Sequence, residues 1–322
     1  MYEWIGQLTA DEGRLRKARQ ILQHVPDFII VFICSVAGMV MFVAFASLRR
    51  RILRNMRELL RSRLGSFGFG FGFPRVFARG AAYFGHLAIT LYELLIVAPH
   101  LAEDGREAHR ADVLSNSFHI KGRDHIELAL QQNKGVIIFA AHTGNFFYYY
   151  WWLSQQYHCL AVATAASEPL LPIYLTFQKL GCHGLDYDRT PPIAMLNTLR
   201  KHLRNNGVIF LLGDFWRDVF PMSKLFNRST RSPGGAAMLA LNYSVPIIPL
   251  FSRRMFGLKH HMEFGESIQL SEQFEKDEYT EATNSLNVYL EQMILSTPDQ
   301  WFYWFNVDDR WEMEAKQQQC PA

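Results

Sequence analysis

The chain has 322 residues, of which 49% are hydrophobic and 14% are aromatic, and its formal net charge is +3. This composition excludes general disorder, and the length allows one large core or a catalytic domain with an accessory segment. The small net charge conceals a basic cluster, because residues 49–63 contain seven arginines and only one acidic residue, Glu58.

The N-terminal region has the features of a membrane anchor. Residues 1–25 have the pattern of an amphipathic helix, and residues 28–48 form an uncharged run of 21 residues. Such a run is long enough to span a hydrocarbon core of about 30 Å, and it is too long for a signal peptide. The arginines at 49–51 predict that the rest of the chain is cytoplasmic. Basic residues before the run (Arg14, Arg16, Lys17 and Arg19) leave open a helix that only dips into one leaflet.

The chain divides into three predicted parts. Residues 1–64 hold the anchor, residues 65–120 hold a Gly/Phe-rich loop (65–74) and a helical connection, and residues 121–322 form a catalytic domain. The arginine-rich segment adjoins an apolar run rather than a recognised nucleic-acid-binding fold, which favours a bilayer over a nucleic acid as its partner.

Strands and helices alternate in the third part. Buried strands are predicted at 135–141, 159–164, 207–213 and 245–251, and helices at 145–156, 169–180, 191–205 and 277–296. This alternation predicts an α/β fold with a mixed, mostly parallel sheet flanked by helices. The aromatic stretch at 301–311 is expected to pack against the core or the membrane.

No metal site is indicated by the cysteines or by the paired histidines. The spacing of the four cysteines (Cys34, Cys159, Cys182 and Cys320) includes no Cys-x-x-Cys pair. We expect reduced thiols in a cytoplasmic protein. His260 and His261 lie in an alternating run that favours a strand edge over metal ligation.

One histidine stands where a catalytic base would be expected. His142 follows the apolar run at 135–139 and precedes Gly144 and Asn145, which places it between a strand and a helix. Ligands of α/β folds bind at the carboxyl edge of the sheet, and an imidazole can accept a proton from a nucleophile near neutral pH.

Four blocks in order resemble the lysophospholipid acyltransferase superfamily, in particular its lipid A biosynthesis branch of lauroyl and myristoyl transferases. The blocks are KGVIIFAAHTGNFF at 134–147, NNGVIFLLGDF at 205–215, LFNRSTRSPGGAAMLALNYSVPIIPLFSRR at 225–254 and TPDQWFYWFNVDDRW at 297–311. The apolar N-terminal helix followed by Arg54-Asn55 also fits this family.

The resemblance implies transfer of a fatty acyl chain from acyl carrier protein or coenzyme A to a membrane acceptor. His142 matches the family's general base, the thioester is a co-substrate, and no metal or tightly bound cofactor is implied. The acceptor is left open among a lipid A precursor, a lysophospholipid, another glycolipid and an amine. The implied location is the bacterial inner membrane, with the catalytic domain on the cytoplasmic side.

The chain departs from the family at the orienting acid. The family has Asp or Glu five positions after the histidine, where this chain has Phe147. In one interpretation another carboxylate replaces it, with Glu168 and Asp214 as first candidates and Asp186 and Asp188 as further ones. In the other, the chain has impaired chemistry and binds lipid as a membrane protein.

Further residues are implied in substrate binding. Gly144 and Asn145 belong to the histidine block. Arg228 matches the family's arginine after Phe-Gly, and Arg231 is a second arginine for clamping a phosphate. Gly234 and Gly235 precede a predicted helix whose N-terminus can hold an anion or an oxyanion.

Overall fold

The computed structural model describes residues 12–22, 24–64, 73–104, 106–164 and 170–312. Glu168, Cys320, the Gly/Phe-rich loop up to residue 72 and the first eleven residues of the predicted amphipathic helix lie outside them. The helices are α1 (Glu12–Leu22), α2 (Asp27–Ala44), α3 (Ala46–Leu64), α4 (Phe73–Tyr92), α5 (Ala98–Asp104), α6 (Glu107–Ser117), α7 (Arg123–Leu130), α8 (Phe146–Gln156), α9 (Leu171–Lys179), α10 (Pro192–Arg204), α11 (Gly235–Tyr243) and α12 (Tyr279–Ser296). A π-helical turn, Glu93–Val97, joins α4 to α5.

Seven of the nine strands in the described residues form one sheet. The strands are β1 (Phe118–Lys121), β2 (Val136–Ala140), β3 (Cys159–Ala163), β4 (Gly184–Asp186), β5 (Val208–Leu212), β6 (Met222–Leu225), β7 (Arg228–Arg231), β8 (Ile247–Arg254) and β9 (His260–Phe264). Their order is β1-β9-β8-β2-β5-β3-β4, and β6 pairs with β7 separately. Within the larger sheet only β8 and β9 are antiparallel, so the predicted mostly parallel α/β fold is confirmed.

The sheet is buried on both faces. Along β2, Ile137 and Phe139 belong to one apolar cluster, whereas Val136, Ile138 and Ala140 belong to the cluster on the opposite face. A parallel sheet covered by helices on both sides requires such continuous apolar strands. The four predicted buried strands correspond to β2, β3, β5 and β8, and the predicted helices to α8, α9, α10 and α12.

The N-terminal apolar run forms a shorter helix than expected. The helix α2 ends at Ala44, and the chain bends at Phe45 before α3 begins. The Arg49 guanidinium donates to the carbonyl oxygens of Phe42 and Val43, at 2.9 and 3.2 Å, which satisfies the end of α2. The 18 residues of α2 extend about 27 Å, close to the thickness of a hydrocarbon core.

The helix α2 packs closely against α4 on one face only. Its buried residues are Ile30, Cys34, Gly38 and Phe42, spaced four apart. A Cβ atom on Gly38 would lie 2.6 Å from the backbone of Gly85, so glycine is required at this crossing. The opposite face is apolar and exposed. By length and composition, α2 and the continuous helical segment Pro74–Asp104 are each capable of crossing a membrane.

The arginine-rich helix α3 is anchored to the chain's last described turns. Asp308 accepts hydrogen bonds from Arg51 at 2.8 and 3.0 Å, from Arg54 at 2.6 Å and from Asn55 at 3.0 Å. Burial raises the pKa of Asp308, but the bonds from Arg51 and Asn55 outweigh it and hold the pKa below its ordinary value. The aromatic stretch packs into the core, because Trp301, Tyr303 and Trp304 are buried there.

Candidate active site

His142 lies just beyond the carboxyl end of β2, where the sequence predicts it. Two backbone contacts join this turn to the C-terminal segment: the Phe302 amide donates to the His142 carbonyl at 2.8 Å, and the Gly144 amide donates to the Gln300 carbonyl at 3.0 Å. Gly144 has φ of +59°, and a Cβ atom there would collide with Tyr149. The turn around His142 is therefore held by residues distant in sequence.

The carboxylate that contacts His142 belongs to Asp214, which follows the neighbouring strand β5. The His142 Nδ1 atom is 2.6 Å from Asp214 Oδ1, and the His142 amide donates to both carboxylate oxygens at 3.1 and 3.0 Å. The Trp301 indole N–H donates to Asp214 Oδ2 at 2.7 Å. These donors satisfy a carboxylate whose side chain is fully buried.

These contacts determine the protonation of the pair. Burial raises the pKa of Asp214, but the charge and hydrogen bonds of His142 and the bond from Trp301 outweigh burial, so the pKa lies below its ordinary value. An ionised carboxylate only accepts hydrogen bonds, so His142 Nδ1 carries a proton. In neutral imidazole the other nitrogen, Nε2, is then the acceptor, as proton abstraction requires.

A large apolar cavity borders the His142 ring: His142 and Tyr303, whose hydroxyl lies 3.3 Å from Nε2, line it, and Asp214 does not. The cavity has a volume of about 780 Å³, and His142 and Gly144 form part of its wall. This volume lies within the range of sites for small molecules. Apolar side chains from both sides of the sheet line it, among them Ile173, Phe177, Leu199, Phe210, Met238 and Leu239. Such a lining favours the binding of an apolar ligand.

Phe147 lies in the cavity wall, and its ring packs against two other phenylalanines rather than against the His142 ring. Its ring centroid is 4.7 Å from that of Phe146 and 5.4 Å from that of Phe177. Phe146 packs edge-on against the His142 ring at 4.6 Å. The position that carries the acid in the resembled family therefore contributes apolar surface here.

Asp186 and Asp188 form ion pairs with residues other than His142. Asp186 lies 3.8 Å from Arg189, and Asp188 lies at the cavity wall with an ion pair of 3.0 Å to Arg217. Glu168 is outside the described residues. Of the four candidates, Asp214 is thus the one that the described structure brings to the histidine.

The predicted substrate-binding residues divide into two groups. Gly144, Gly234 and Gly235 line the cavity. The two arginines do not: Arg228 lies 3.5 Å from Glu58 and over the Trp311 ring, and Arg231 donates to Glu312 at 2.6 Å and to the Phe220 carbonyl. Both arginines belong to the β6–β7 hairpin, which joins the sheet domain to the N-terminal helix α3 and to the chain's last described residues.

Asn145 is part of a buried polar network. Its side chain caps α8 by accepting from the Tyr148 amide and donates to Glu93 at 2.8 Å. Arg254 forms a two-pronged ion pair with Glu93, and His260 Nε2 lies 3.0 Å from the same carboxylate. Asn145 is fully buried, so its observed role is to fix the start of α8 beside His142.

Several site residues escaped the sequence-based prediction. Trp301, Tyr303 and Arg310 surround the His142–Asp214 pair: Arg310 donates to the Asp214 carbonyl at 2.7 Å, and the Tyr303 hydroxyl lies 3.3 Å from His142 Nε2. In the sequence they belong to the aromatic block at 297–311. Large side chains in such a block normally indicate core packing, so the sequence did not single out these three residues as site residues.

One group of possible metal ligands occurs among the described residues, away from the cavity wall. It consists of His100, Asp104 and His109. Asp104 is already bonded to His109 at 2.7 Å and to Arg106 at 2.6 Å. His142 and Asp214 are not part of this group.

A protein-family model matches most of the chain. The family model described as bacterial lipid A biosynthesis acyltransferase matches residues 84–311, which is 228 of the 322 residues. No curated protein matches the chain significantly. The match includes His142, Asp214 and most of the cavity wall, and begins within α4. The chain therefore belongs to the bacterial lipid A biosynthesis acyltransferase family.

Proposed function

We propose that the protein transfers a fatty acyl chain from a thioester, acyl carrier protein or coenzyme A, to a hydroxyl or amine of a lipid or glycolipid. The observation that carries this proposal is the hydrogen bond of 2.6 Å between His142 Nδ1 and Asp214, beside a cavity of about 780 Å³ that His142 lines. A family of acyltransferases that act on lipid supports the same reaction class.

His142 acts as the general base in this proposal. The acceptor hydroxyl gives its proton to Nε2 while its oxygen attacks the thioester carbonyl carbon, and the carbonyl electron pair moves onto oxygen. When that pair returns, the C–S bond breaks and the thiolate takes the proton from Nε2. The products are an ester and a thiol, or an amide and a thiol with an amine acceptor. A base so placed contributes roughly 10²–10⁴-fold.

Asp214 holds His142 in the reactive tautomer. Its ionised oxygens fix the Nδ1 proton and stabilise the positive ring that forms when Nε2 accepts the acceptor's proton. The carboxylate comes from the end of β5 instead of from α8. Because Asp214 can take the role of the family's acid, we expect the chain to retain acyltransferase activity although it has Phe147 at the position of that acid.

The apolar cavity would hold the acyl chain. Ile173, Phe177 and Leu199 line it, and Phe147 adds to this apolar wall. Gly234 and Gly235 line the cavity at the N-terminus of α11, and the N-terminus of a helix favours an anionic part of either substrate. Arg228 and Arg231 are not included, because they face other partners.

The N-terminal helices would hold the site at the bacterial inner membrane, on its cytoplasmic side. The outer face of α2 is apolar and uncovered: Phe28 and Phe32 are 71% and 68% exposed. The arginines of α3 follow directly, as expected for a segment next to anionic lipid headgroups. A lipid acceptor could then reach the cavity without leaving the bilayer.

The test is acyl transfer by the purified full-length chain in detergent or vesicles. Labelled acyl carrier protein or acyl coenzyme A is supplied with a bacterial lipid extract, and labelled lipid is identified by mass spectrometry. We expect a labelled lipid with the wild type and none with His142→Ala. Equal transfer by both would remove the assignment of the base. A folded wild type that binds lipid but transfers nothing from either donor would support the alternative, a lipid-binding homologue.

A further inference from the structure

The hydroxyl of Tyr303 lies beside the proton-accepting atom of His142. Its oxygen lies 3.3 Å from Nε2, and the two ring centroids are 4.7 Å apart at an angle of 62°. Tyr303 is 3% exposed and lies in the cavity wall beside His142. A substrate that approaches Nε2 from the cavity therefore comes close to the Tyr303 hydroxyl.

The direction of this hydrogen bond follows from the pairing on the other side of the ring. Since Asp214 holds the proton on Nδ1, Nε2 has a lone pair, and the Tyr303 O–H donates to it. An acceptor hydroxyl must itself donate to Nε2 when it reacts. The Tyr303 hydroxyl then no longer donates to Nε2 and can donate a hydrogen bond to a nearby oxygen.

The oxygen that gains charge in the reaction is the thioester carbonyl oxygen. It is attached to the carbon that the acceptor oxygen attacks, so it lies two bonds from the acceptor oxygen that is hydrogen-bonded to Nε2, one of them the bond being formed. A donor about 3 Å from Nε2 is therefore within hydrogen-bonding reach of this developing oxyanion. Donors fixed in place before reaction are the effective ones, because they need no reorganisation.

Tyr303 is held in place from several sides. The Phe302 amide bonds to the His142 carbonyl at 2.8 Å, which ties the backbone next to Tyr303 to the histidine turn. The Arg310 guanidinium lies 3.7 Å from the centroid of the Tyr303 ring, and the same side chain donates to the Asp214 carbonyl at 2.7 Å. A cation over the ring withdraws electron density and makes the phenol a stronger hydrogen-bond donor.

We propose that Tyr303 is a catalytic residue that donates a hydrogen bond to the thioester carbonyl oxygen as it becomes an oxyanion; this role depends on the acyl transfer proposed above. The C–O bond forms while the carbonyl pair moves to oxygen, and the Tyr303 proton stays on the phenol throughout. When the C–S bond breaks, the carbonyl returns and the hydrogen bond weakens. The acceptor's proton travels by way of His142 alone.

The test compares Tyr303→Phe with a matched control, Tyr148→Phe. Tyr148 is also 3% exposed, and its hydroxyl also makes a hydrogen bond of 3.3 Å, to the Glu93 carbonyl, but it does not line the cavity. We expect Tyr303→Phe to lower kcat by about 10²–10³-fold, as for loss of one oxyanion donor, with KM changed less than about threefold. Tyr148→Phe should keep kcat within about threefold, since it loses only a backbone contact.

A second variant separates a chemical role from a structural one. Replacing Tyr303 by 3,5-difluorotyrosine keeps the ring and makes the phenol more acidic. We expect this variant to transfer the acyl chain at neutral pH. As the pH is raised, its kcat should fall at a lower pH than the kcat of the wild type, because an ionised phenol has no proton with which to donate a hydrogen bond. This variant also decides the question if Tyr303→Phe does not fold.

The outcomes distinguish the two proposals. Wild-type transfer with unchanged kcat in folded Tyr303→Phe, or an unchanged alkaline limb in the difluorotyrosine protein, would overturn the role of Tyr303 and leave the His142–Asp214 pair intact. Absence of transfer by the folded wild type would overturn the proposed function, and the role of Tyr303 with it.

Discussion

Replacing Asp214 by Asn keeps the shape of the side chain and removes its ability to orient His142. The carboxylate accepts from His142 Nδ1 at 2.6 Å and from Trp301 Nε1 at 2.7 Å, through different oxygens. An amide has one accepting oxygen and one donating nitrogen. If the oxygen stays on Trp301, the amide N–H faces Nδ1 and moves the imidazole proton to Nε2, which abolishes the base. If the amide turns over, the buried Trp301 N–H loses its acceptor.

The first arrangement predicts the size of the effect. Loss of the correct tautomer in histidine-dependent acyl transfer costs about 10⁴-fold in kcat. We expect a decrease of about 10³–10⁴-fold for Asp214→Asn, equivalent to roughly 4–5.5 kcal/mol of transition-state stabilisation. The unfolding free energy should fall by about 1–3 kcal/mol, as expected for an unsatisfied buried polar group. Steady-state acyl transfer measures the first quantity, and denaturant unfolding measures the second.

A second substitution tests where the acid must be. Phe147→Glu restores a carboxylate at the position used by the resembled family. Phe146 separates Phe147 from His142, and Phe147 packs against Phe177 in the apolar wall. We therefore expect Phe147→Glu to give no rescue of Asp214→Asn. Near-wild-type kcat in folded Asp214→Asn would refute the assignment of Asp214, whereas recovery of activity in the double variant would refute the claim that a carboxylate at position 147 cannot orient His142.

Three further predictions concern packing, electrostatics and the arginines outside the cavity. Gly38→Ala should destabilise the protein by about 1–3 kcal/mol because its Cβ would lie 2.6 Å from the backbone of α4, whereas Gly85→Ala, with open space, should be tolerated; thermal unfolding in detergent compares them, and equal melting temperatures would contradict the close crossing. Arg228→Ala should change kcat/KM less than about fivefold, because Arg228 contacts Glu58 and Trp311 outside the cavity; a loss of a hundredfold would place it in substrate binding. The pKa of Asp308 is lowered in the folded state, so its stabilisation is present above the ordinary aspartate pKa and is lost as the pH falls from that value through the lowered folded-state pKa; the difference in melting temperature between wild type and Asp308→Asn should shrink as the pH is lowered through this range, and a constant difference would contradict the ion pairs.

The central strands were predictable because their local pattern and their final environment agree. Four buried, apolar and β-branched runs correspond to β2, β3, β5 and β8. The strand β4 has only three residues, and β6 and β7 carry charged or hydroxyl side chains that resemble loop composition. These three strands are defined by tertiary pairing, for which the local sequence has no signal.

In the candidate site, His142 was predictable from the sequence, and Asp214 was predictable only in part. His142 is marked by its position after a strand and by the motif around it. Asp214 was one of four candidate carboxylates, since its contact depends on the adjacency of β2 and β5 across 72 residues of chain. The positions of Tyr303 and Arg310 were not predictable, because an aromatic block gives no indication of which ring faces a reacting atom.

Comparison of His142→Ala, Asp214→Asn and the double variant tests the central claim most directly. Acyl transfer from a labelled thioester is measured for each folded protein under identical conditions. If His142 is the base and Asp214 acts only through it, His142→Ala abolishes transfer and the double variant is no slower than His142→Ala alone. Transfer by His142→Ala at a rate close to that of the wild type would contradict the account.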